Sequence, residues 1–442
     1  MKLHKVGALA AVSILAFAAC SSSTASTKPV ASAAPAASVA PAASVAPAAS
    51  AAAKGDVKIA IELPLQGSEK AASQPIVNGI RLAVKDAGGV VGGYTVTVPD
   101  SAIFDDALNG AHDAQTGAAN MTKIVADDGY IGVIGPLNSS VAKAQIPISN
   151  ASGLLQCSPA NTNPDLTKGA KAAALRSKPN NYIRVVTTDD IQGPAAAAYI
   201  IDVLKKKTTY IIDDTETFGK GIADTFEADF KARGGTVVKR DAAPKTTQDY
   251  VSIMTAAAAL KPESIYFGGV TATGGARILL AAKQAGMGDV PFLGPDGIND
   301  GNGETKDSFL NLAKADAKNA FSTLAGPGTF EGKDKFDADY KAEFGKDATG
   351  YAGQGFACAQ VVLDALKRAA ATNPANMAGL REAVRVAGTD TTVKYTLNVG
   401  PVSFDANGDT SQLIVSLYSY DAAGANGKGD WKFDSQVDAA KK

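Results

Sequence analysis

The sequence predicts an α/β protein: two doubly wound parallel-sheet lobes joined by a multi-stranded hinge. Three observations carry this. Short apolar runs closed by Gly or Pro recur, the clearest being Tyr130 to Ile134, stopped by Gly135-Pro136, and Gly153 to Cys157, stopped by Ser158-Pro159. Such runs read as buried strands of a parallel sheet. They alternate with segments of helical spacing, the order that builds βαβ units. The chain has 442 residues, too many for one small core, and the alternation starts afresh near Tyr182.

The first residues stand apart. Lys2, His4 and Lys5 precede an apolar stretch, Val6 to Ala19, too short for a comfortable membrane span. Residues 1–19 therefore read as a signal peptide, ending in Phe17-Ala18-Ala19-Cys20. A small-small-Cys ending resembles a bacterial lipobox, with Phe17 where Leu is usual. Cleavage before Cys20 and acylation of its thiol would export the chain and anchor it by lipid at the envelope. Residues 20–55 are mostly Ala, Pro, Ser and Thr, with Pro35-Ala-Ala-Ser-Val-Ala repeating. They have little to bury and read as a disordered stalk.

The expected folded part opens with a strand at Val57 to Leu63 and a helix over Val77 to Ala87. Strands follow at Tyr94 to Val98 and Ile103 to Asp106, then a helix at Thr116 to Ala126 and the strand at Tyr130. The second round runs from a strand at Tyr182 to Val186 and a helix at Ala195 to Lys206 to a short strand at Pro291 to Leu293. After Ala320 the pattern changes to helices at Phe330 to Phe344, Tyr351 to Ala371 and Ala375 to Val386. Two strands, Val393 to Val399 and Leu413 to Tyr420, come last. Residues 56–186 with 322–388 are assigned to lobe 1, 187–321 with 389–421 to lobe 2, and 422–442 to a C-terminal tail. A chain crossing repeatedly between lobes makes a hinge, and a hinged cleft traps a ligand by closing.

The two strands at Tyr130 and Gly153 each deliver a small hydroxyl-bearing loop to the carboxyl edge of the sheet, where ligands sit in open α/β folds. Ser139, Ser140 and Thr162, with free backbone N–H groups nearby, suit a small anion such as a carboxylate. Helix capping is the better account of any one of them alone; two such loops in succession favour a site.

Other chemistry finds little support. Charged residues are 20% with a net charge of −1, so no basic field points to nucleic acid. Apart from His4 the only histidine is His112, read as an incidental surface residue, which weakens a Ser-His-Asp or His-based metal site. Gly269-Val-Thr-Ala-Thr-Gly274 has phosphate-loop spacing but is followed by Gly275-Ala276 rather than Lys and Ser or Thr. The acidic pairs Asp105-Asp106, Asp127-Asp128, Asp189-Asp190 and Asp213-Asp214 read as turns and caps. Asp300-Gly-Asn-Gly-Glu304 does not match a calcium loop and reads as a flexible one. No enzyme, cofactor or metal is expected. Cys157 and Cys358 remain after Cys20; a disulfide is permitted in an exported chain, but a strand and a helix position favour two buried free thiols.

The order and spacing of several segments resemble the type I periplasmic binding proteins, in particular the branched-chain amino acid (Leu/Ile/Val) receptors of ABC importers. These are Val57 to Leu63 with Asn78-Gly79, Phe104-Asp105-Asp106, Ile131 to Gly135 with Ser139-Ser140, and Ser158 to Pro164. Further along come Gln192-Gly193-Pro194, Phe218-Gly219, Tyr266 to Gly269 and Gly294 to Gly297. The resemblance implies a ligand carboxylate held by Ser139 and Thr162, and an ammonium group held by the Ala160 carbonyl and Asp296. Leu137, Asn138, Phe218, Val270 and Tyr351 complete the implied site. Phe218 and Val270 stand where the family has Tyr, an expected aromatic falls near Ala71-Ala72, and Asn138 takes the place of a family cysteine. The implied function is capture of a small amino acid, aliphatic or branched-chain among the options, and delivery to a membrane permease by a monomer. A receptor for an amide or another small carboxylate, or a ligand-independent surface or sensor lipoprotein, is the alternative.

Overall fold

Lobe 1 forms around β1 (Gly55–Leu63), buried on both faces from Ile59 onward as a central parallel strand should be. The computed structural model describes residues 54–301, 305–427 and 429–441. The signal peptide, Cys20 and all but the last two stalk residues lie outside the described residues. The other strands of this part are β2 (Val90–Val91), β3 (Tyr94–Thr97), β4 (Ile103–Asp105), β5 (Ala107–Leu108), β6 (Ala111–His112), β7 (Tyr130–Ile134), β8 (Leu155–Ser158) and β9 (Tyr182–Arg184). The sheet order is β2-β3-β1-β7-β8-β9, with β4 also on β1, and only the edge pair β2/β3 is antiparallel. Helices α1 (Lys70–Asp86), α2 (Ala114–Ala126), α3 (Ser139–Ser152) and α4 (Gly169–Ala174) connect them. Asp113 caps α2 by accepting from the Thr116 N–H.

Lobe 2 repeats the scheme. Its elements are α5 (Asp189–Ala198), β10 (Thr208–Asp213), α6 (Thr217–Ala232), β11 (Thr236–Ala242), α7 (Val251–Ala259), β12 (Ser264–Gly268), α8 (Gly275–Ala282), β13 (Phe292–Gly294), α9 (Phe309–Ala313) and β14 (Ala320–Leu324). The sheet order is β11-β10-β12-β13-β14-β17-β18, where β17 (Ile414–Asp421) and β18 (Asp430–Asp438) are the antiparallel additions that close the chain. Between β14 and β17 the chain returns to lobe 1. Helices α10 (Lys333–Phe344), α11 (Ala352–Ala371) and α12 (Met377–Gly388) pack there, followed by the hairpin of β15 (Tyr395–Leu397) and β16 (Gly400–Val402).

Three expectations need correction. Residues 322–324 belong to strand β14 of lobe 2, whereas 389–412 sit largely on lobe 1, because Tyr395, Leu397, Val399, Val402 and Phe404 bury in its core. Residues 422–442 are not a mere tail: β18 pairs along β17, and Trp431 stacks on Phe309. Cys157 and Cys358 are not free thiols. They form a disulfide, since β8 and α11 lie side by side with the two Cα atoms 5.8 Å apart.

The crossings near Thr187, Ala325 and Leu413 make the hinge. The Thr187 N–H donates to the Ala325 carbonyl at 3.3 Å, and the Ser416 hydroxyl donates to Gly326 at 2.8 Å while accepting from the Gly328 N–H at 2.6 Å. Among the described residues no helix is long and apolar enough to cross a membrane.

Candidate functional site

The first expected loop follows β7. Gly135 has φ 131°, and a Cβ there would fall 1.9 Å from the Glu62 carbonyl oxygen, so only glycine lets the chain turn this closely over β1. The turn leads into α3 with Ser139 as its first residue. The first backbone donation within the helix is Ala142 N–H to the Asn138 carbonyl at 3.0 Å, so the N–H groups of the preceding turn stay available to an anion. The Asn138 side chain does not cap the helix; its amide donates to Glu69 Oε1 at 2.6 Å.

The second loop is shaped from behind. The Ser158 hydroxyl accepts from the Asn161 N–H at 2.8 Å, and the Asn161 amide donates to the Leu137 carbonyl at 2.8 Å, tying the two loops together. Fully buried Arg184 pairs with Asp409 at 2.7 Å and donates to the carbonyls of Asn161 (3.1 Å) and Asn163 (2.9 Å). This leaves Ala160 facing the cleft.

From lobe 2, Phe218 in the first turn of α6, Val270 after β12 and Asp296 after β13 face the same space. Gly297 lets them converge: a Cβ there would sit 2.4 Å from the Gly269 carbonyl oxygen and 3.0 Å from the Phe218 ring. The resulting cleft leaves about 560 Å³ free of protein atoms, open solvent included. It brings together Leu137, Asn138, Ser139, Ala160, Phe218, Val270, Asp296 and Tyr351 of the expected residues. Thr162 is not in its wall. Its hydroxyl is buried beside the Asp189 carboxyl, and its carbonyl accepts the Asp189 N–H at 2.9 Å.

At the hinge end, Tyr351 donates its hydroxyl to Asp296 at 2.8 Å and accepts from the Ala325 N–H at 3.1 Å. Gln192 donates to the other Asp296 oxygen at 2.9 Å, and its own carbonyl accepts from the Thr323 hydroxyl at 2.8 Å. Burial pushes Asp296 up to about 6, against the lowering effect of Tyr351 and Gln192. Burial, and then the charge of Asp296, push the neighbouring Asp189 up to about 8. No Lys, Arg or His side chain forms an ion pair with either carboxylate among the described residues. A buried acid pair with no cationic side chain in ion-pair contact suits a ligand ammonium, whose charge would draw the carboxylates into their ionised form.

Elsewhere Glu69 and Glu216 find their counter-charge within the protein. His112 is not a surface residue: it is 3% exposed, and its Nδ1 lies 2.9 Å from Glu69 Oε1. Its backbone N–H donates to Glu69 Oε2 at 2.6 Å, and its Nε2 lies 3.9 Å from Glu216 of lobe 2. Burial alone would lower the imidazole; the Glu69 carboxylate overrides it and, with Glu216, raises it to about 10. His112 in turn brings Glu216 down to about 2.

Sequence patterns missed Glu69, Thr271, Asn299, Asp300 and Gly350, all in the cavity wall. Asp300 is no flexible-loop residue: its carboxyl accepts the Phe309 N–H at 3.0 Å, and burial pushes it to about 7. Residues 302–304 of that loop lie outside the described residues. Only a Gly/Asn/Asp-rich stretch directly after the Asp296 segment hinted at it.

Two lobes, three crossings and a cleft between them define a solute-binding protein. Residues 56–426 match the periplasmic binding protein family, and the chain belongs to it. Among curated relatives, a Leu/Ile/Val-binding protein of Rhizobium johnstonii is 29% identical over 84% of this chain and 93% of its own. A leucine-specific-binding protein of Salmonella typhimurium is 28% identical over 85% of this chain and 94% of its own. The fold is shared with a leucine binding protein of Thermotoga maritima, at TM-score 0.72 and 23% identity over 87% of this chain and all of that one.

Proposed function

We propose that this protein captures a free amino acid between its lobes and delivers it to a membrane permease of an ABC importer. The observation that carries the reading is the pairing of opposite fields across one cavity. On lobe 1 the start of α3 presents Ser139 and free N–H groups, suited to a carboxylate. On lobe 2 Asp296, backed by Asp189, suits an ammonium. The distance between the groups on a zwitterionic α-amino acid is short, so both fields act on one end of the ligand. Thr162 contributes through Asp189 rather than by direct contact.

The likeness to receptors for Leu, Ile and Val supports the amino acid class. Export, a lipid anchor on Cys20, a monomeric state and the permease as partner belong to the same proposal. They rest on the signal-like N-terminus, the lipobox-like Cys20 and the family.

The test is a thermal-shift screen of the purified protein, refolded under oxidising conditions, against amino acids, their amides and small carboxylates. A ligand at ~100 times its Kd adds about 2.7 kcal/mol of stability. A shift with one or more amino acids, lost in Asp296→Ala, is expected. A shift only with acids lacking an amino group would overturn the amino acid reading.

A further inference from the structure

Part of the cavity wall is polar where a receptor for branched aliphatic side chains needs apolar cover. That part includes Glu69, Asn138, Thr271, Asn299 and Asp300. Glu69 is answered by His112 at 2.9 Å, whereas Asp300 meets a neutral donor, the Phe309 N–H at 3.0 Å.

Two lining amides are half-used. Asn138 donates through Nδ2 to Glu69 at 2.6 Å, which fixes its orientation, and leaves Oδ1 buried with no donor in the protein. Asn299, 6% exposed, leaves its Nδ2 buried with no acceptor. One side chain thus offers an acceptor and the other a donor. An aliphatic group answers neither, and buried polar groups left unanswered penalise the complex. An ammonium cannot accept from Asn299. A carboxylate cannot donate to Asn138 and meets Glu69 and Asp300.

We infer that the preferred solute is an amino acid whose side chain ends in an uncharged group that both donates and accepts, a hydroxyl or a carboxamide. This rests on the amino acid reading of the cleft. The head group is held at Ser139 and Asp296, the stem passes Leu137 and Val270, and the polar end reaches Asn138 and Asn299.

The experiment is isothermal titration of the purified full chain, stripped of carried-over solute, with Ser, Thr, Asn and Gln against Leu, Ile, Val, Lys and Glu. At least tenfold tighter binding of one of the first four over all of the others is expected. Equal or tighter binding of Leu, Ile or Val overturns the inference while leaving the amino acid reading intact, and so does a preference for Lys or Glu. Failure of every amino acid overturns both. Asn138→Leu sharpens the result: it should weaken the polar solute tenfold or more and narrow its lead over Leu, with the thermal midpoint of the free protein as the folding control. An unchanged ranking in a folded Asn138→Leu protein also counts against the inference.

Discussion

The two ends of the cleft hold buried carboxylates and treat them in opposite ways. At the mouth, Glu69 and Glu216 flank His112, so one imidazolium joins an acid of lobe 1 to an acid of lobe 2. At the hinge, Asp189 and Asp296 lie together with amides and hydroxyls around them but no cationic side chain paired to them. The same residue type is therefore structural at one end and held ready at the other. A buried charge matched inside the protein supports the closed arrangement whether or not a solute is present. A buried acid pair left unmatched weakens the free protein and rewards a ligand that carries the missing charge.

The largest effect that would break this contrast is at Asp296. Asp296→Ala should weaken amino acid binding at least about 100-fold, because the ligand ammonium loses its charged partner inside a dry cleft. The same substitution should leave the thermal midpoint of the free protein unchanged or raise it, since one of two repelling buried acids is gone. A parallel loss of binding and of stability would show that Asp296 is structural, like the mouth acids.

His112→Ala should do the reverse. It strands Glu69 in a 3% exposed position and removes the inter-lobe pair with Glu216. Breaking one partner of a buried pair costs about 3–5 kcal/mol. Urea unfolding should show a loss of about that size. Glu69→Gln in the same background should recover part of it by removing the stranded charge. No recovery would mean that His112 matters for packing rather than charge.

How the site could be read from the chain follows from the same contrast. Ser139 was legible because local signals place it: an apolar strand, a Gly-Pro stop, then a helix start at the sheet's carboxyl edge; the same signals chose Thr162 in the second loop, where the family resemblance pointed to Ala160. Phe218, Val270, Asp296 and Tyr351 came from the order and spacing of family-like segments. Glu69, His112 and Asp300 were not legible, because their roles depend on contacts between distant segments. A single histidine among polar residues gives no sign that two acids will enclose it. The disulfide joins residues 201 apart, and nothing local reveals that β8 and α11 become neighbours. Likewise, the alternating pattern near Tyr395 marks a strand without saying which lobe receives it, and β18 is too polar on one side to stand out. Periodicity reports the element; the partner is set by the packing of the whole chain.

Acidity separates the hinge acids from the His112 pair without any mutation. Asp296 is raised to about 6 and Asp189 to about 8, so each contributes stability that is present at low pH and lost as pH rises through those values. The free protein should lose stability between pH 5 and 8 from these groups, and ligand should restore it. If binding needs ionised Asp296, affinity rises with pH and levels off above about 6. At pH 5 it should be about tenfold weaker, and titration in buffers of different ionisation enthalpy should show proton release. The His112–Glu216 pair should be silent over this range, because His112 keeps its proton up to about 10 and Glu216 loses its own near 2.

Tyr351→Phe provides the smallest and most selective perturbation. The Tyr351 hydroxyl is the largest of the influences that favour ionised Asp296, and it also accepts the Ala325 N–H at the hinge. Removing it should raise the Asp296 carboxyl further, so the pH at which affinity levels off moves upward. At pH 8 the loss should be only a few-fold, and at pH 6 it should be larger. A uniform loss at every pH would assign Tyr351 to holding the hinge through Ala325 rather than to tuning the acid that meets the ligand.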